Sequence, residues 1–217
     1  MKTVLFLAGD HWHPADTIQP LAEILFPADE WKLVFTTDPA ELYACPEPDL
    51  FVSFKDPSED NRIPTPVWCD SEWTDNLLNR VRSGLGLIAV HAALVDLKET
   101  HPIVKELTHT VFLTHPQPCE VSVHILKDHP VTAGVKDFTL PDPDEHYQMK
   151  MVGGEDTVML AETVSQHGTQ PGLWVSEYGK GRICCFTPAH TTPSLTCEGY
   201  VQIMKNAVTW CCRNNRL

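Results

Sequence analysis

The segment GLIAV at 86–90 constrains the fold more than any other. Its five residues run without a polar interruption and stop at His91. A strand on a half-solvated sheet alternates apolar with polar residues, whereas a short run apolar on both faces suits the middle of a parallel sheet covered by helices. The rest of the chain supplies what such a sheet needs. Residues 2–8 read as a strand, and the segment 16–26 after it carries Ile18, Leu21, Ala22 and Leu25 at helical spacing. WKLVFT at 31–36 and LFVSF at 50–54 repeat the strand signal, after which Pro57, Pro64 and Pro66 mark a long irregular connection. Ser71 is placed to cap a helix over 72–82, whose Trp73, Leu77, Leu78 and Val81 form one face and which Gly84 closes.

The second half changes character. EVSVHIL at 120–126 alternates, TVMLAE at 157–162 is a mixed run, and 173–177 faces 182–186 across Tyr-Gly-Lys-Gly, a hairpin turned by Gly179 and Gly181. Tyr200, Ile203, Met204, Ala207, Val208 and Cys211 recur at three and four, which predicts an amphipathic C-terminal helix. Strands feeding helices, then an antiparallel edge, predict an α/β fold: a doubly wound, mostly parallel sheet with an antiparallel hairpin near the C-terminus. With 217 residues and no linker or repeat, a single domain over 1–217 is expected.

Charge and cysteine usage narrow the setting. Acidic residues number 29 against 16 basic, a formal charge of −13, which argues against counterion-driven binding to nucleic acid. The longest apolar runs, 4–8 and 86–90, fall far short of the ~20 residues of a bilayer span, so no membrane association is expected. The opening MKTVLFLAGD invites a leader reading, but its apolar run meets Asp10 and His-Trp-His after six residues, and a buried first strand accounts for it better. Eight cysteines, at 45, 69, 119, 184, 185, 197, 211 and 212, show no CxxC spacing. Neighbours at 184 and 185 on a strand face opposite sides, so reduced, buried thiols in a cytoplasmic protein are expected.

In a doubly wound sheet ligands bind beyond the carboxyl ends of the strands, so the residues that follow each apolar run carry functional weight. Here they are histidines: His11 and His13 flanking Trp12 after the first run, His91 after the central one, and His190 after the hairpin. Imidazole serves both proton transfer near neutral pH and zinc-like metals, so three of them on one rim suggest a metal site on His13, His91 and His190, or acid–base work. Glu145, in the cluster Asp142, Asp144, Glu145, His146, Tyr147, can act as base, fourth ligand or partner of a histidine. An HxH pair after a first strand also occurs in barrel-type hydrolases, but those need eight strand–helix repeats in ~250 residues.

Other histidines, at 101, 109, 124 and 167, have no comparable setting and are expected at the surface or in packing. His115-Pro116 and His129-Pro130 sit in turn contexts. The cysteines lack a strand-to-helix turn beside a base, and Gly84-Leu85-Gly86 precedes a strand instead of following one, so neither a thiol nucleophile nor a nucleotide is expected. Trp12, Trp68, Trp73 and Trp174 suit stacking on sugar rings, with Trp73 and Trp174 assigned to the core.

Taken in order, HWHP at 11–14, GLIAVHAA at 86–93, FLTHP at 112–116, DHPVTAGV at 128–135, DEHY at 144–147, YGKGRICCFTPAHT at 178–191 and NAVTW at 206–210 resemble the trehalose-utilisation (ThuA-like) family. That family's fold is flavodoxin-like and similar to class I glutamine amidotransferases. The resemblance places His91 where those enzymes carry a nucleophilic cysteine on a sharp turn, and an imidazole cannot form the thioester, which excludes glutamine hydrolysis by that route. It aligns His190 with their later catalytic histidine, and matches His13, His115, Glu145 and Tyr147 to recurring family positions. It implies carbohydrate metabolism, of trehalose or oxidised disaccharides, with a small-molecule sugar derivative as ligand. Two functions follow. One is a hydrolase, lyase or isomerase in which His91, Glu145 and His190 are catalytic, Trp12, His115 and Tyr147 bind substrate, and zinc or manganese serves as cofactor. The other is a non-catalytic carbohydrate-binding or regulatory module. An amidotransferase-like partner subunit is a third reading, and the hairpin around Lys180 with the C-terminal helix offers surface for a homo-oligomer.

Overall fold

The structure is a computed structural model of the chain and describes residues 1–58, 62 and 66–212; Pro64 of the expected connection lies outside the described residues. The first half alternates β1 (Lys2–Ala8), α1 (Ala15–Leu25), β2 (Trp31–Thr36), the single turn α2 (Glu41–Ala44), β3 (Leu50–Phe54), α3 (Ser71–Ser83) and β4 (Gly86–Val90). A 3-10 turn at His91–Leu94 and a π-helical turn at Val104–Thr108 lead to β5 (Thr110–Thr114), β6 (Ser122–Ile125), β7 (Phe138–Thr139) and β8 (Gln148–Met151). The chain ends in β9 (Val158–Ser165), β10 (Gly168–Tyr178), β11 (Gly181–Phe186), the short α4 (Thr192–Leu195) and α5 (Glu198–Cys211).

Nine strands form one sheet in the order β2-β1-β3-β4-β11-β10-β9-β6-β7. The first five are parallel, and β11 turns back through the expected hairpin to β10, pairing Leu173 with Phe186 and Tyr178 with Gly181. This is the doubly wound α/β sheet anticipated, with the hairpin extended by β9, β6 and β7 into an antiparallel wing. The turn uses Gly179 at φ +63, where a Cβ would stand 2.5 Å from the Arg82 carbonyl oxygen. Strands β5 and β8 pair separately as a two-stranded flap.

Alternation along the central strands explains why both faces are apolar. Val4, Phe6, Val52, Phe54, Ile88 and Val90 pack against α1 and α5. Leu5, Leu7, Phe51, Leu87 and Ala89 pack against Trp73, Leu77 and Val81 of α3 and against Val104 and Leu107. Each such side chain contributes about 1.5–3 kcal/mol of transfer free energy, so two helical layers on one sheet hold the scaffold that carries the site. Cys184 and Cys185 fall in opposite cores, as strand geometry requires, and all eight cysteines are free thiols. No described helix is long and apolar enough to cross a membrane.

One expectation is corrected at α3. The helix begins at Ser71, and the cap is Asp70, whose extended backbone lets its carboxylate accept from the Trp73 N–H at 2.9 Å. Gly84 closes the helix at φ +123 as expected. Asp70→Ala should therefore lower stability by about 1 kcal/mol in urea denaturation, with Ser71→Ala close to neutral; the reverse order would return the cap to Ser71.

Candidate metal centre

The carboxyl ends of the parallel strands deliver the polar groups. After β1 the chain turns sharply at Gly9 (φ +95), where a Cβ would meet the Thr37 side chain at 2.8 Å. Asp10 follows, and its carboxylate gathers the backbone N–H groups of Trp12 and His13, each at 2.9 Å, and Nδ1 of the His13 ring at 2.8 Å. After β3 come Lys55, whose ammonium donates to the Gly9 carbonyl at 2.6 Å, and Asp56, whose N–H donates to the second Asp10 oxygen at 2.9 Å.

After β4 the extended Val90 gives way to His91 at φ +45, a left-handed conformation uncommon outside glycine and asparagine. This is a strand-to-helix elbow that turns the side chain up from the sheet. The imidazole is fully buried; its Nδ1 lies 2.8 Å from the Thr187 carbonyl, which can only accept, so Nδ1 carries a proton and Nε2 faces the centre. After β11 the backbone N–H of His190 donates to both oxygens of Asp144, at 3.0 and 3.1 Å. Asp144 is itself fixed by a backbone bridge to Cys119, so the segment carrying Glu145 and the loop carrying His190 are tied together.

The result is a convergence of His13, His91, His190 and Glu145, whose ligand atoms all lie within 4.8 Å of one another. His91 Nε2 is 3.3 Å from His190 Nδ1, and Glu145 Oε2 is 3.5 Å from the former and 3.4 Å from the latter. An ion held tetrahedrally at ~2.1 Å by nitrogen and oxygen separates its ligand atoms by about 3.4 Å, which these three pairs match. His13 Nε2 is buried with no hydrogen-bond partner among the described residues, a cost that a bound cation would remove.

Electrostatics follow from crowding. Burial works to raise the Glu145 pKa, but hydrogen bonds and charge from His190 and His91 overcome it and hold the carboxyl well below its usual range. The hydrogen bond to Glu145 raises His190 against its own burial, while burial lowers His13, helped by the neighbouring imidazoles. Asp56 is different. Burial, with the charges of Asp96 and Asp10, pushes it up to about 8. An acid whose folded pKa exceeds its unfolded value near 3.9 binds an extra proton in the native state. Its penalty is absent below pH ~4, grows as pH rises, and is complete above 8. Asp56→Asn should match wild type in urea denaturation below pH ~4 and gain progressively on it from there up to pH 8; a pH-independent difference would contradict this.

Of the residues expected to bind substrate, His115 and Tyr147 come to the cluster from the flap and the segment beside it. His115 Nε2 faces Glu145 Oε1 at 3.7 Å while the ring remains 37% exposed. Tyr147 stacks on His91 at 4.2 Å and touches Phe112, forming a buried wall. Trp12 stands instead on the exposed turn after β1, its ring against His11 and beneath the Arg62 guanidinium. Of the histidines expected at the surface or in packing, the buried His109 meets Thr157; His146, in the cluster with Glu145, points away from it to Thr163 and Ser165. Sequence reasoning missed the supporting roles of Asp10 and Asp144, and missed Lys55-Asp56, although the last pair follows a strand run directly and obeys the same strand-end rule.

Residues 9–211 match the family model described as ThuA, trehalose utilisation. The chain belongs to this family. No curated protein matches it. A solved ThuA-like protein from Bacteroides uniformis superposes with a TM-score of 0.76 at 20% identity, over 97% of this chain and 91% of that one. A ThuA-like protein from Parabacteroides merdae gives 0.75 at 16% identity, over 98% and 90%. A GMP synthase protein from Thermoplasma acidophilum gives 0.57 at 12%, over 97% and 94%. At these identities the likenesses show the fold: this ThuA chain has the amidotransferase-like architecture, with His91 at the elbow. Cys184 and Cys185 lie inside β11, and burial drives both thiols up, Cys184 to about 12, so neither provides a thiolate there.

Proposed function

We propose that this ThuA protein is a metal-dependent enzyme acting on a sugar derivative, with His13, His91, His190 and Glu145 holding a divalent ion such as zinc or manganese. The family supports carbohydrate metabolism. The observation that carries the chemistry is the set of three imidazoles and one carboxylate within 4.8 Å, one imidazole nitrogen of which is buried and unpartnered. Such an ion, when bound, polarises a carbonyl or hydroxyl oxygen of the substrate.

The surrounding residues do the rest. Glu145 turns Oε2 toward the imidazoles and leaves Oε1 toward His115, so the half-exposed His115 imidazole is held beside the centre, where it can pass a proton to or from substrate. Tyr147 and Phe112 exclude water from the inner side. Eight free thiols support a reducing, cytoplasmic setting. The test is a panel of disaccharides and their keto derivatives, followed by mass spectrometry with the protein as isolated, after chelation, and after zinc or manganese is returned. Turnover that disappears on chelation and comes back with metal is expected. Binding without turnover in the metal-loaded protein would replace this reading with a carbohydrate-binding module.

A further inference from the structure

Asp10 takes no place among the four candidate ligands, yet it is the most heavily coordinated carboxylate at the site. Its side chain is wholly buried. One oxygen accepts from the N–H of Trp12, the N–H of His13 and the His13 ring, and the other accepts from the N–H of Asp56. Backbone N–H groups can only donate, so both oxygens act as acceptors and the ring proton of His13 must sit on Nδ1. That leaves Nε2 with its lone pair, and this is the atom buried without a partner inside the cluster.

Two anchors make the arrangement stiff. The β3 end holds Asp10 through Asp56 and holds the preceding Gly9 carbonyl through Lys55. The carboxylate also spans residues 10–13, so the ring and the backbone it hangs from are fixed by one group. The His91 ring donates its equivalent hydrogen bond to the neutral Thr187 carbonyl, whereas the His13 ring has a carboxylate behind it. A carboxylate behind a ligating imidazole fixes its tautomer and raises its basicity.

We infer that Asp10 is a positioning residue that sets the Nδ1–H tautomer of His13 and presents its Nε2 to a divalent cation together with His91, His190 and Glu145. This rests on the metal reading above. It is tested by titrating zinc and cobalt(II), each alone, into the chelated full chain of wild type, Asp10→Asn and Asp10→Ala. The expected result is zinc binding weakened about 10–100-fold in both variants, with a cobalt visible spectrum altered in band position and intensity, a change that a general loss of stability would not produce. Wild-type affinity and an unchanged cobalt spectrum in both variants would overturn the role of Asp10 and leave the metal reading intact. Failure of wild type to bind either ion would overturn the metal reading itself. Should the variants not fold, nitrogen NMR of the metal-free wild type decides: His13 protonated on Nδ1 is expected, and a proton on Nε2 would overturn the proposal.

Discussion

If the four-residue cluster holds zinc as proposed, His91→Ala should bind it about a hundredfold more weakly than wild type. Structural zinc sites with four protein ligands are worth roughly 10–16 kcal/mol at neutral pH, so one ligand of four accounts for ~3 kcal/mol, about two decades in Kd. Of the four proposed ligands, His91 is the one whose loss is hardest to repair. The Thr187 carbonyl orients its Nε2, the ring is fully buried beneath Tyr147, and His190 Nδ1 and Glu145 Oε2 lie 3.3 and 3.5 Å from that nitrogen. Alanine also leaves a void against Phe54 and Tyr147 and keeps the left-handed φ of +45. His91→Asn separates these effects, because asparagine tolerates that backbone conformation and restores part of the volume. The expected pattern from isothermal titration and thermal melts is loss of zinc in both variants, with the chelated Asn protein melting closer to chelated wild type than the Ala protein does. Retained zinc affinity in both would show that the imidazole at 91 is not a ligand.

The parts of this centre that the sequence disclosed are those governed by local rules. GLIAV reads as a central strand because both its faces are apolar, and a doubly wound sheet puts the residue after such a run on the ligand-binding rim. The same rule, applied to three separate strands, reaches His13, His91 and His190. Glu145 is visible as an acid in a polar cluster, but its direction is not legible. Glu145 and His146 are neighbours, yet one faces the imidazoles and the other Thr163 and Ser165. The bridge between Cys119 and Asp144 sets that orientation. Asp10 is visible as a residue and opaque as a partner, because its second oxygen is anchored by Asp56 across 46 positions of chain. The flap is a similar case. Its strands β5 and β8 lie far apart in sequence and pair with a register shift between Phe112 and Thr114, which no periodicity announces. At α3 the difference is one residue: Asp70 and Ser71 are both good caps, and the chain's extended backbone at Asp70 decides between them.

Trp174→Ala lowers stability by about 3–5 kcal/mol, the range for removing a large aromatic side chain from a core. At roughly 2–4 °C per kcal/mol for a chain of this size, the melting temperature falls by about 6–20 °C. The residue is fully buried on β10, and its indole N–H donates to the Thr108 carbonyl at 2.8 Å. Its loss therefore leaves a cavity and also a buried carbonyl at the end of the π-helical turn Val104–Thr108. Trp174→Phe keeps most of the volume and gives up the hydrogen bond, so it should fall between. The same proteins show whether this packing reaches the proposed metal site. The proposed ligand atoms come from the ends of β1, β4 and β11 and from the segment pinned to Cys119, none of which hangs on the Thr108 turn. Zinc affinity measured well below the lowered melting point should consequently stay within a few fold of wild type. A parallel collapse of zinc binding would mean that the turn leading into β5, and with it the flap bearing His115, holds the ligands in place.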